Sequence, residues 1–208
     1  MSERIVILVD GDYPAHSYCR NMLKESKVLC CDGAAAKLIN DGVKPYAIVG
    51  DMDSLSPNLQ EEYKDIVYKV SEQETNDMTK AFTWALKNGF DDIVFMGISG
   101  KREDHFIANV ALLCKYADEN PTIRIEAHGS YGRFTALASG KYKLQVGKSK
   151  AISIFDFKAK AKLWSQGLEY QLNGLTLNNL NAGTLNKSIL NEIELVVEGG
   201  NVLIYIPY

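Results

Sequence analysis

Up to about residue 127, short apolar runs alternate with segments whose apolar residues recur at helical spacing. Runs at residues 4–9, 27–31, 46–49, 66–70, 92–96 and 122–127 predict buried strands. Between two of them, Met78, Ala81, Phe82, Ala85 and Leu86 fall at i, i+3, i+4, i+7 and i+8, which predicts a helix over residues 77–87. Asn76 is placed to cap its start and Gly89 to stop it. A further helix is predicted from near Asp104, with Phe106, Ile107, Val110, Ala111, Leu113 and Cys114 as its apolar stripe, and a helical segment also follows Gly33. Strands alternating with helices predict a mostly parallel sheet covered on both faces, a three-layer α/β/α domain.

After Gly129 the period changes to two. Tyr142, Leu144 and Val146 alternate with polar residues, as do Leu168, Tyr170 and Leu172, and Ile193, Leu195 and Val197. Residues 202–206 read as a closing strand after Gly199-Gly200-Asn201, and turn signals recur at Gly140, Gly147, Gly167 and Gly174. This predicts an antiparallel β-sandwich or flattened barrel, the sandwich being the expected form. The expected organisation is therefore an α/β domain over residues 1–128 and a sandwich domain over residues 129–208.

Composition narrows the partners. Of 208 residues, 46% are hydrophobic and 24% charged, ordinary values for a globular protein. A net charge of −3 offers no basic excess for nucleic acid, so none is expected as a partner. No run approaches the ~20 apolar residues of a membrane span, and the five apolar residues 5–9 are too few for a signal peptide, so no membrane partner is expected. Cys19, Cys30, Cys31 and Cys114 lack metal-site spacing and read as reduced, mostly buried thiols of a cytoplasmic protein.

Candidate chemistry lies where the predicted strands end. Gly50-Asp51-Met52-Asp53-Ser54 follows one strand directly and puts two carboxylates in its C-terminal loop. Hard oxygen ligands there suit Mg²⁺ and the phosphates it carries. The plain alternative is an Asp-rich turn bonding its own backbone. Asp32 ends the preceding strand, Asp77 opens one helix and Asp104 another. In a parallel sheet these loops share one rim, and close carboxylates disfavour joint ionisation unless a cation intervenes. The loop from Gly97 to Arg102 adds two glycines, backbone amides ahead of a helix and a guanidinium, the elements of a polyphosphate cradle or of an ordinary βα turn.

These residues, taken together, resemble the thiamin pyrophosphokinase family. The matching segments are Asp32-Gly33-Ala34-Ala35, Gly50-Asp51-Met52-Asp53-Ser54, Asn76-Asp77 with Lys80-Ala81, and Gly100-Lys101-Arg102-Glu103-Asp104-His105. Gly167-Leu168-Glu169-Tyr170 and Gly183-Thr184-Leu185-Asn186 resemble segments of its second domain. The resemblance implies transfer of pyrophosphate from ATP to the hydroxyl of thiamin, giving thiamin diphosphate and AMP, by a homodimer with active sites at the subunit interface. It implies Mg²⁺ as cofactor and ATP as co-substrate, both in the first domain, with the second contributing to thiamin binding and dimerisation. Asp51, Asp53, Asp77 and Asp104 are the implied metal ligands, and with Arg102 the catalytic set. Asp32, Gln73, Asn76, Gly100, Lys101 and His105 are implied on the nucleotide side, Tyr170 and Asn186 on thiamin, although Tyr170 alone reads equally as a sandwich core residue. The chain departs from the pattern at Ala36, Glu74, Asn76 and Leu185, where Asn, Asp, Thr and Ser are usual. Two other functions remain open to the same residues: a kinase or pyrophosphokinase for another hydroxylated heterocycle, and a non-catalytic thiamin- or nucleotide-binding protein.

Overall fold

The computed structural model describes residues 3–208; Met1 and Ser2, at the start of the expected first domain, lie outside the described residues. Two compact units are present. One comprises the chain up to Asn109 with Ala127–Ser130, the other Val110–Glu126 with Tyr131–Tyr208.

The first unit is built from β1 (Arg4–Leu8), α1 (Ser17–Glu25), β2 (Val28–Cys31), α2 (Ala34–Asn40), β3 (Ala47–Gly50), α3 (Pro57–Glu62), β4 (Val67–Lys69), α4 (Asp77–Lys87) and β5 (Asp92–Met96). All four pairings are parallel, in the order β4-β3-β2-β1-β5. Every residue of β2, β3 and β5 is buried, which is why their sequences are continuous apolar runs rather than alternating ones. Successive residues still serve opposite faces. Val6, Leu8, Cys30, Ile48, Val94 and Met96 form one core with Cys19, Met22 and Leu23 of α1 and Ala34, Ala35 and Leu38 of α2. Phe95 meets Phe82 of α4, with ring centroids 6.1 Å apart. α4 runs over the predicted residues and is capped as expected, the Asn76 side chain accepting from the Thr79 amide at 2.9 Å.

Next come α5 (Glu103–Glu119) and β6 (Arg124–His128), each divided between the units, and then β7 (Gly132–Leu137), β8 (Gly140–Gln145), β9 (Ala151–Phe155), β10 (Lys162–Gln166), β11 (Asn173–Thr176), β12 (Asn186–Lys187), β13 (Glu192–Glu198) and β14 (Val202–Pro207). In the second unit, β12-β9-β14-β7 and β11-β10-β13-β8 make two antiparallel sheets. They enclose a core in which Ile152, Ile154 and Ile204 of one sheet join Leu163, Ile193 and Leu195 of the other. This is the sandwich that period-two alternation predicts. Gly199 and Gly200 do not close a hairpin; they carry the chain from one sheet into the other.

One expected strand is absent. Residues 168–172 form a loop with a single bridge, from Leu168 to Ser188. Gly167, at φ +87°, turns the chain out of β10, and the Ser165 amide and hydroxyl grip Leu172 at 2.9 Å each, so the segment closes as the tip of the β10–β11 hairpin. Leu168 and Leu172 are buried, whereas Tyr170 is 68% exposed. No helix of the described residues is long and apolar enough to cross a membrane.

Candidate active site

Strand order reverses at β1, which pairs with β2 on one side and β5 on the other. Open α/β sheets hold ligands at such a switch point, outside the carboxyl ends of the strands. A cavity of about 300 Å³ opens there, walled by Asp10 and Gly11 after β1, Gly97, Lys101 and Arg102 after β5, and Asp77 at the start of α4. The second unit has a larger cavity of about 460 Å³, but its only carboxylate, Glu126, is bound to Arg124 at 2.9 Å. The smaller cavity is therefore the one with chemistry.

Three aspartates meet beside it. One carboxylate oxygen from each of Asp32, Asp51 and Asp77 lies within 4.8 Å of the others. Asp32 takes a left-handed backbone at φ +37° and is 3% exposed. A Cβ on Gly50 would stand 2.8 Å from the Asp32 Cβ, so only glycine lets β2 and β3 bring these loops together. The Ser54 amide donates to Asp32 Oδ2 at 3.1 Å, while Asp32 Oδ1 is buried with no hydrogen-bond partner. Burial raises the Asp32 pKa above its ordinary value, and the like charges of Asp77 and Asp51 act in the same direction against the Ser54 amide. Asp51 is held below the carboxylate range, first by the Asp53 amide, then by the Lys80 charge and a Gln73 hydrogen bond, against burial. Lys80, its side chain 3% exposed, places Nζ 3.1 Å from Asp77 Oδ1.

Two of the four expected metal ligands lie outside this group. Met52 is left-handed, at φ +68°, and buried in the α1–α2 core, so the chain kinks between the two acids of the pentapeptide. Asp53 is exposed and contributes its amide, 3.2 Å from Asp51 Oδ1. Asp104, in the first turn of α5, is gripped by Arg102 through Nε at 3.0 Å and Nη2 at 2.6 Å. That pairing, first among its influences, keeps the Asp104 carboxyl below its ordinary pKa. His105 donates its amide to Asp104 Oδ1 and lines the cavity.

The glycines of the loop after β5 approach protein rather than open space. A Cβ on Gly97, at φ +72°, would collide with the Val9 carbonyl, and one on Gly100 with the Asp12 carboxylate. The loop is laced to the end of β1 by Gly11 N–H to Gly97 O at 2.9 Å and Asp12 N–H to Ser99 O at 2.7 Å. Lys101 is thereby delivered to Asp10 Oδ2 at 2.7 Å, and Lys37 of α2 reaches Asp10 Oδ1 at 2.7 Å. Burial would raise the Asp10 pKa, but these two lysines outweigh it and lower it. Asp10, Lys37 and Lys80 were not among the sequence candidates for the site. Asp10 carries the same signal as Asp32 and Asp51, an acid directly beyond a strand; Lys80 lies in one of the segments that carry the family resemblance, and Lys37 has no signal beyond its helical position.

In the second unit, Asn186 is buried and its amide is spent on Tyr170, accepting from the Tyr170 N–H at 3.1 Å and donating to its carbonyl at 2.7 Å. Asn186 thus fixes the backbone that carries the exposed Tyr170 ring. Replacing Asn76 by Ala removes the cap that starts α4 and should cost about 1 kcal/mol. A thermal melt should show this as a fall of roughly 2–4 °C.

Residues 19–125 match the family model "Thiamin pyrophosphokinase, catalytic domain", and residues 132–205 match "Thiamin pyrophosphokinase, substrate-binding domain". A curated relative, the thiamine pyrophosphokinase of Bacillus subtilis (strain 168), is 29% identical over 149 residues, 68% of each chain. Among solved structures, thiamine pyrophosphokinase from Bacillus subtilis superposes with a TM-score of 0.82 at 24% identity, covering 99% of both chains. Thiamin pyrophosphokinase from Candida albicans does so at 0.79 and 17% identity, covering 99% of this chain and 89% of its own. These two likenesses concern the fold.

Proposed function

The chain belongs to the thiamin pyrophosphokinase family, a family of diphosphotransferases, and on that premise we propose that it transfers pyrophosphate from ATP to the hydroxyl of thiamin, releasing AMP. The observation that carries this reading is the cavity at the β1–β5 switch point, with three converging carboxylates near one wall and Lys101 and Arg102 on another. Such a cavity suits a ligand that is anionic and cation-bound at once.

The acidic group fits a divalent ion. Its donors are hard oxygens, and the buried, unpartnered Oδ1 of Asp32 is an atom that a cation would satisfy. Asp32, Asp51 and Asp77 would hold Mg²⁺, which when bound offsets the charge of the polyphosphate. Arg102 and Lys101 bind phosphate oxygens, and little covalent work is asked of the protein beyond orientation. Arg102 must then leave Asp104 or share it, which gives Asp104 the role of holding the guanidinium ready. Asp53 serves through its amide, and Gln73 through Asp51. Tyr170 offers an exposed aromatic face to the cationic thiazolium and the pyrimidine. The family resemblance favours a homodimer with shared active sites. The four cysteines are buried and none is in a disulfide, which is compatible with a reducing compartment such as the cytoplasm.

Incubation with ATP, Mg²⁺ and thiamin should yield AMP and thiamin diphosphate in equal amounts; ADP with thiamin monophosphate would overturn pyrophosphate transfer. Without nucleotide, Mg²⁺ at about ten times its dissociation constant should stabilise the fold by about 1.4 kcal/mol. The melting temperature should rise by roughly 3–6 °C, and Asp51→Asn should remove most of that rise.

A further inference from the structure

Asp10 is a carboxylate shared by two ammonium groups. Lys37 arrives from α2 and Lys101 from the loop after β5, each 2.7 Å from its own oxygen of Asp10. Lys37 Nζ also donates to the Gly11 carbonyl at 2.7 Å. The arrangement is built rather than incidental. A Cβ on Gly33 would lie 3.2 Å from Asp10 Oδ2, and the loop bearing Lys101 is laced to the end of β1 by two backbone hydrogen bonds. Asp10, Gly11 and Lys101 line the cavity with Arg102, and Lys37 is tied to that wall through its bonds to Asp10 and Gly11, so two ammoniums on one carboxylate leave a unit of positive charge beside it. The three groups are about one-third to one-half exposed, and Lys101, on the cavity wall itself, is open to an entering anion.

We propose that Asp10 is a positioning residue for polyphosphate: by holding Lys37 and Lys101 side by side it sets where the phosphates of a nucleoside triphosphate lie in the cavity. The inference rests on the pyrophosphate-transfer reading and adds two residues, Asp10 and Lys37, to it. Each ammonium has three N–H donors, so Lys37 and Lys101 keep their hydrogen bonds to Asp10 and give a remaining one to a phosphate oxygen. Phosphate binding then depends on the lysines acting as a pair, so that loss of the carboxylate between them is felt even though it is itself an anion.

That last point separates positioning from simple electrostatics. Removing an anion beside a phosphate site should strengthen ATP binding if charge alone mattered. The proposal requires the opposite: Asp10→Asn and Lys101→Met should each raise KM for ATP about tenfold, one decade of affinity for misplaced charge-assisted contacts. The two changes should be coupled, so that the double variant is no worse than about twentyfold, well short of the hundredfold product of independent effects. Asp10→Glu should recover most of the loss, and KM for thiamin should stay within twofold throughout. A fall in KM for ATP in Asp10→Asn, or a double variant at the full product, would overturn the inference. If Asp10→Asn melts too low to assay, Lys101→Met on its exposed loop decides, and an unchanged KM for ATP in that variant is an overturning result. Wild-type protein assayed alongside keeps the two questions apart: no AMP from wild type counts against the proposed reaction, whereas AMP from wild type with uncoupled variants counts against the role of Asp10.

Discussion

Asp77→Asn should lower the rate of AMP formation by about two to three orders of magnitude, the loss typical of removing one preorganised electrostatic group. Two effects combine. The acidic group keeps only Asp32 and Asp51, which weakens its hold on a cation. Lys80, whose side chain is 3% exposed, also loses the carboxylate 3.1 Å from its ammonium. An ammonium left buried without its partner costs about 3–5 kcal/mol in a closed interior. Asp77 is 36% exposed, so water can stand in for part of the pairing and the cost should be nearer the lower end. Steady-state assay at saturating Mg²⁺ together with a thermal melt reads both effects. A variant that kept wild-type kcat would remove Asp77 from the active site whatever its stability.

Gly97→Ala should destabilise the protein by about 3 kcal/mol, a strained backbone and an overpacked contact acting together. Gly97 sits at φ +72°, and its missing Cβ points at the Val9 carbonyl oxygen, a backbone atom that cannot step aside without moving β1. Gly42 supplies the comparison. It has nearly the same angle, φ +77°, with nothing within 4 Å of a Cβ, so Gly42→Ala should cost only the strain, about 1 kcal/mol. Differential scanning calorimetry should separate the two by roughly 4–8 °C. Equal melting temperatures would mean that the loop after β5 yields to a methyl group, and Lys101 and Arg102 would then be less firmly placed than their geometry suggests.

Much of this architecture is legible in the chain because burial is written plainly there. β2, β3 and β5 are buried at every residue, so their apolar runs stand out, and α4 announces itself through Asn76, its spaced apolar residues and Gly89. α1 is harder to see. It buries only Cys19, Met22 and Leu23, and its N-cap, His16, makes no side-chain capping bond to the helix. The Leu168–Tyr170–Leu172 alternation misleads because a loop closed by Ser165 can bury two leucines four residues apart as well as a strand can. Within the site, Asp32, Asp51 and Asp77 are visible because each stands at a strand end or a helix start. That Asp53 lies outside their group depends on the left-handed turn at Met52, which no spacing rule foretells. Asp10 and its lysines become a unit only when β1, β5 and α2 are side by side, a fact of lateral neighbourhood that a linear reading does not contain.

The two poles of the cavity also differ in how far apart along the chain their parts are made. Asp32, Asp51 and Asp77 come from successive loops, whereas Lys101 meets Asp10 across 91 residues and only after β5 has docked beside β1. Closing so large a loop is entropically dearer than joining adjacent strands. A nascent chain can therefore assemble its cation-holding half early, while the half that grips phosphate waits for β5 to arrive.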